Sequence, residues 1–137
     1  MSNEILHLSS LRVPLFLTRL SIVAFMLPWQ LKRFLEPKAV DGIAQKYYKF
    51  SMPEIGSTIT GVLMVALLVA FLVGFKKRIS YGLVMVLHGV GTLMTVPYLI
   101  PYTESFKILF MAAIPAFMAM VLLYCLRNED TLLSVDK

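Results

Sequence analysis

Two side chains stand out because their chemistry is foreign to the apolar stretches that contain them. Arg19 is the one charge in the window 13–31, and His88 is the one histidine in the window 79–98, which holds no Asp, Glu, Lys or Arg. A guanidinium in hydrocarbon costs from about 2.5 to well over 10 kcal/mol, so Arg19 must find compensation. Either it reaches head groups or carbonyls of neighbouring helices, or it faces an internal cavity and holds an anionic or quinone-like group. At about 1.5 Å per residue, Arg19 lies about 9 Å and His88 about 13 Å from the same face, so one polar layer could contain both.

The third window carries a stripe that could complete such a layer. Tyr81, Met85, His88, Thr92 and Thr95 recur at steps of three or four and share one helix face. That face is expected to point into a helix bundle, with Thr58 and Thr60 of the second window reaching the depth of Thr92 and Thr95. The candidate ligand-binding residues are therefore Arg19, His88, Thr92, Thr95 and Thr60. His88 has three available roles: it is satisfied by a hydroxyl or carbonyl, it serves a ligand or a proton, or it ligates haem axially. The last is disfavoured because the other histidine, His7, lies outside the windows. Neither HExxH nor a carboxylate cluster occurs, so the expectation is no metal site and no catalytic set.

The elements that must position these residues follow from composition. Of 137 residues, 58% are hydrophobic and 15% charged, against roughly 45–50% apolar and 25% charged in an ordinary soluble domain. Four windows, 13–31, 55–75, 79–98 and 108–126, are each long enough for a single span. The reading is all-α: a polytopic membrane protein, one domain over 1–137, with four transmembrane helices bundled together. No small-residue cleavage site closes the first window, which ends in Trp29, Gln30 and Lys32, so it is expected to stay as a helix.

Between the first two windows, segment 32–54 is expected to hold a short interfacial helix. Ile43, Tyr47 and Phe50 recur at helical spacing with Asp41, Lys46 and Lys49 between them. Ser51-Met52-Pro53-Glu54 then reads as a capping box with proline in the first turn of the second span. Trp29, Tyr98 and Tyr102 fit an aromatic belt at one face, Tyr81 and Tyr124 at the other. Ala112, Ala116 and Ala119, with Gly56, Thr60, Gly89 and Gly91, permit close helix approach. Pro28, Pro97 and Pro115 are expected to bend or end their helices.

The net charge of +5 is carried by basic residues at the span ends, a pattern of contact with lipid head groups and not with nucleic acid. Arg12, Lys76 to Arg78, Arg127 and Lys137 on the terminal side are matched in number by Lys32, Arg33, Lys38, Lys46, Lys49 and Lys107 on the other. The tie is broken by the triplet at 76–78, which sits in the shortest loop and favours cytoplasmic termini. The single cysteine, Cys125, excludes an internal disulfide and a thiol redox pair.

Across nearly all of its length the chain resembles the DoxX-like family of small four-helix integral membrane proteins. The resemblance is carried by Arg19, by Pro28-Trp29-Gln30-Leu31-Lys32, by the polar interfacial segment, by Gly74 with Arg78, and by Arg127 with Asp130-Thr131. It implies a four-helix bundle in a bacterial inner membrane with cytoplasmic termini. Members include a subunit of a thiosulfate:quinone oxidoreductase and membrane partners of redox or detoxification systems. Many carry an acidic residue early in the second span, where this chain has Thr60-Gly61, so the windows offer Arg19 no counter-ion.

The favoured function is a noncatalytic accessory or assembly subunit of a membrane complex, redox-linked if the resemblance holds, without intrinsic activity. The alternative is a quinone- or lipid-binding protein with an intrabundle cavity at Arg19 and His88, for which a quinone would be the cofactor. A small proton-coupled transporter would need an embedded carboxylate, which the windows lack. Membrane lipid and a second membrane protein, or another copy of this chain, are the expected partners.

Overall fold

The computed structural model describes the backbone of residues 2–98, 100 and 110–136, with side chains from residue 10 onward. Tyr102, Lys107, Lys137 and the His7 side chain, singled out above, lie outside the described residues. The described chain is all-α. Helix α1 runs Ser2–Leu35, α2 Pro37–Ile43, α3 Glu54–Leu72, α4 Lys77–Thr95 and α5 Ala113–Cys125. Three segments, Ser10–Leu35, Glu54–Leu72 and Lys77–Tyr98, are long and apolar enough to cross a membrane.

Four helices close a ring, with α1 against α3, α3 against α4, α4 against α5, and α5 against α1. Their shared core contains Ile22 and Met26 of α1, Leu68 and Phe71 of α3, Val84 of α4, and Met120 and Leu123 of α5. The outside is no more polar than the inside. Leu63 is 64% exposed and Leu93 73%, and Ile59, Val62, Val69, Val86 and Leu122 lie open as well. Helices apolar on every side suit hydrocarbon as their solvent.

Small residues set two of the closest approaches. A Cβ on Gly89 would come within 2.7 Å of the Phe117 ring, and one on Gly61 within 2.7 Å of the Phe34 ring. The first fits the close approach expected at Gly89. The second gives a packing reason for glycine at position 61.

Several local expectations need correction. In the fourth apolar window Phe110 is helical, 111–112 form a turn, and the 13-residue α5 follows, about 20 Å long at 1.5 Å per residue. Pro115 gives the reason: it has no N–H to offer Met111, and its ring crowds that carbonyl. Ile114 accordingly bonds back to Met111 at 3.1 Å in a tightened turn. Pro28, by contrast, lies inside α1 without ending it, and Pro97 falls in the 3₁₀ turn Val96–Tyr98 that closes α4.

The short helix in segment 32–54 is present, but it begins earlier than its apolar spacing suggested. It starts with Pro37 in its first turn and then widens into a π-helical turn, Ala44–Tyr48, that stops at left-handed Lys49. Ala44 is its buried residue, while Ile43 and Phe50 are exposed.

The capping box does not form. Pro53 is the N-cap of α3 and no side chain caps it. Ser51 lies too far upstream and donates its hydroxyl to Asp41 Oδ1 at 3.1 Å, and the same oxygen takes the Met52 N–H at 2.6 Å. Asp41 therefore orders the approach to α3. Tyr81 is 1% exposed, so it is no belt anchor.

Candidate functional site: a buried arginine–carboxylate latch

The most concentrated polar chemistry lies where the chain after α5 folds back onto the bundle. Arg19 projects from α1 and is fully buried, as is Asp130, five residues beyond the end of α5. The guanidinium Nη1 lies 3.4 Å from Asp130 Oδ2 and donates to Tyr81 Oη at 3.1 Å. Tyr81 donates in turn to Asp130 Oδ2 at 2.7 Å. Arg19 Nη2 donates to the Leu132 carbonyl and, at 3.2 Å, to that of Leu133. Helix α4 adds the Lys77 ammonium, which donates to the Asp130 carbonyl at 2.9 Å.

Local structure explains why these groups meet. Gly74 turns the chain between α3 and α4 at φ +64, a conformation that costs a residue with a Cβ. A Cβ there would also strike Ser134 Oγ and lie 2.8 Å from Arg19 Nη1. The tail then pairs with this turn through Val135 N–H to the Val73 carbonyl at 2.8 Å and Asp136 N–H to that of Gly74 at 3.2 Å. Arg12 Nε clips Thr131 Oγ1 at 2.7 Å. Phe71 supports the Tyr81 ring at a centroid distance of 4.7 Å, and Phe16 lies 5.3 Å from the guanidinium carbon.

Burial makes the arrangement demanding. Two ions removed from water lose several kcal/mol of hydration each, recovered only by close pairing and by hydrogen bonds to the remaining atoms. Arg19 recovers most of this through a carboxylate, a phenol and two carbonyls. Arg19 Nε and Asp130 Oδ1 are buried atoms without a protein partner.

The other sequence candidates lie elsewhere. His88 is two turns beyond Tyr81 on α4, about 10 Å further along at 1.5 Å per residue. Its Nε2 lies 3.0 Å from the Ala113 carbonyl, and its ring meets Phe25 edge-on at 5.6 Å. Thr92 and Thr95 donate to carbonyls of their own helix, His88 and Thr92 respectively, each at 2.9 Å. The stripe does face inward, with Tyr81 and Thr92 buried and Met85, His88 and Thr95 partly so.

Thr60 belongs to a different cluster. It donates to the Gly56 carbonyl at 2.8 Å and accepts from Arg33 Nη1 at 3.0 Å, while Thr58 is exposed and bonds within α3. Arg33 also donates from Nε to Gln30 Oε1 at 2.9 Å, and its carbonyl accepts from Ser57 Oγ at 2.9 Å. Arg19, the His88–Thr92–Thr95 stripe and Thr60 thus belong to three different hydrogen-bonded groups, and among the described residues no hydrogen bond joins one group to another.

Sequence reasoning missed Asp130 as the Arg19 partner, together with Lys77 and the Leu132 and Leu133 carbonyls. A search for counter-ions confined to the apolar windows passes over a carboxylate in the polar tail. The usable signal was the Asp130-Thr131 pair close behind the last window. Among the described residues, no three His, Cys, Asp or Glu side chains gather as a metal site would require. No protein-family profile, curated protein or solved structure matches this chain.

Proposed function

We propose that the chain is a DoxX-like bundle of four membrane spans. In this reading α2 lies at the interface, both termini are cytoplasmic, and the membrane is a bacterial inner membrane. Its role is that of a noncatalytic accessory or assembly subunit of a membrane complex. The observation that carries this reading is the use made of the buried charges. Arg19 and Asp130 are engaged with each other, with Tyr81 and with tail carbonyls. Such groups hold a bundle closed and offer little to a substrate, while the lateral surface of α3 and α4 presents open Leu and Val side chains to lipid or to another membrane helix.

The test is photo-crosslinking in native membranes from a reactive residue placed at Leu93. A discrete adduct with one other polypeptide, or with a second copy of the chain, is the expected result. Adducts with lipid alone would overturn the accessory role.

The unpartnered Arg19 Nε and Asp130 Oδ1 favour a second reading. Here a quinone or lipid head group reaches the Arg19 layer. Calorimetric titration of the purified protein with a short-chain quinone decides it, since absence of saturable heat removes this alternative.

A further inference from the structure

The turn between α3 and α4 and the end of α5 enclose an open groove of about 560 Å³, whose lining includes Lys76, Lys77, Arg78, Ile79, Arg127 and Asp136. We propose that this groove binds the phosphodiester head group of an anionic glycerophospholipid. The inference rests on the reading of α4 and α5 as membrane spans.

Charge comes first. Four basic residues and one carboxylate line the groove, and of the four only Lys77 turns its ammonium inward, to the Asp130 carbonyl at 2.9 Å. Arg127 is held ready: its guanidinium stacks 4.6 Å from the Tyr124 ring centroid and Nη1 donates to the Tyr124 carbonyl at 2.8 Å. Its remaining N–H groups are left for a phosphate. Arg78 is exposed and no described residue pairs with it.

The chain itself already places an anion here. Asp136 Oδ2 accepts the Lys77 backbone N–H at 3.3 Å, at the first turn of the 19-residue α4. Backbone donors at a helix start, together with nearby cations, favour a negative group.

Position favours a lipid over a free ion. Lys77 begins a helix of spanning length and Cys125 ends α5, so the groove opens where apolar helices leave hydrocarbon. Ile79, 56% exposed, and Leu83, 46% exposed, follow the groove down the outside of α4 and give an acyl chain a surface to lie on.

The test uses the full chain in a neutral detergent, with native mass spectrometry counting retained phosphatidylglycerol against phosphatidylcholine of the same acyl chains. The wild type is expected to keep one phosphatidylglycerol in preference. Arg78→Ala and Arg127→Ala should each reduce that retention about fivefold, the worth of one basic residue near an anionic head group. Asp136→Asn should raise it, and Lys38→Ala on exposed α2 should leave it unchanged.

Equal retention of the two lipids overturns the proposal, as does a Lys38→Ala loss as large as that of Arg78→Ala. Displacement of phosphatidylglycerol by millimolar inorganic phosphate overturns the lipid as the source of the anion. Because Arg78 is exposed, its replacement should not disturb folding, and an elution profile matching the wild type checks this. Failure of the membrane reading shows separately, as a chain that stays monodisperse once detergent is withdrawn.

Discussion

Helix α1 carries two arginines that meet α3 or α4 at opposite ends of the bundle, and they are satisfied in different ways. Arg19 is fully buried and has a carboxylate, a phenol and two carbonyls. Arg33, fourteen residues on and about 21 Å away along the helix, is half-buried. It makes do with the neutral acceptors Gln30 Oε1, Thr60 Oγ1 and Met52 Sδ. Deep burial makes a counter-ion necessary, whereas partial exposure leaves part of the hydration in place. The Arg19 end needs the tail to bring that counter-ion. The Arg33 end is completed by residues of α1, α3 and the segment between them.

Replacements should separate the two ends, and thermal unfolding in detergent ranks them. The largest loss is expected for Asp130→Ala, about 3–5 kcal/mol, because it leaves a buried guanidinium without a counter-ion. A loss below about 1 kcal/mol would mean that the tail does not hold Arg19. Next comes Gly74→Ala, at about 1–3 kcal/mol, since the new methyl group meets both a left-handed backbone and the Arg19 guanidinium. If that variant melts with the wild type, the turn is free to move away from the latch.

At the other end, Arg33→Ala should cost about 1–2 kcal/mol, as charged hydrogen bonds are lost from a partly hydrated site. A cost equal to that of Asp130→Ala would erase the contrast. The smallest change is expected for Lys32→Ala. Its ammonium pairs with Glu36 at 3.4 Å with both side chains about half exposed, and such a helix pair is worth under about 0.5 kcal/mol.

Much of this architecture was legible in the residues because it depends on local periodicity. The inward stripe on α4 follows from the steps between Tyr81 and Thr95, and the apolar windows mark where α1, α3 and α4 run. Arg19 was conspicuous as a charge among apolar neighbours. Its partner was not, since Asp130 lies far away in sequence and is joined to it only by the tail's fold-back onto Gly74. Tyr81 fitted two patterns, a belt position and the head of the stripe, and only packing against Phe71 and Asp130 decides between them.

The segment before α3 was misread for a related reason. Ser51 has the chemistry of a cap, but Asp41 competes for its hydroxyl through a contact that no local spacing reveals. His88 shows the converse. Its depth can be estimated from sequence, yet its partner is a carbonyl of α5, whose start is set by Pro115.

The central claim is that Arg19 and Asp130 stabilise the bundle by holding each other. A double-mutant cycle with Arg19→Met and Asp130→Leu tests it most directly. Each single change should cost about 3–5 kcal/mol by stranding a buried charge, and the double variant should cost far less than their sum, with coupling of about 2 kcal/mol or more. Additive losses would contradict the account.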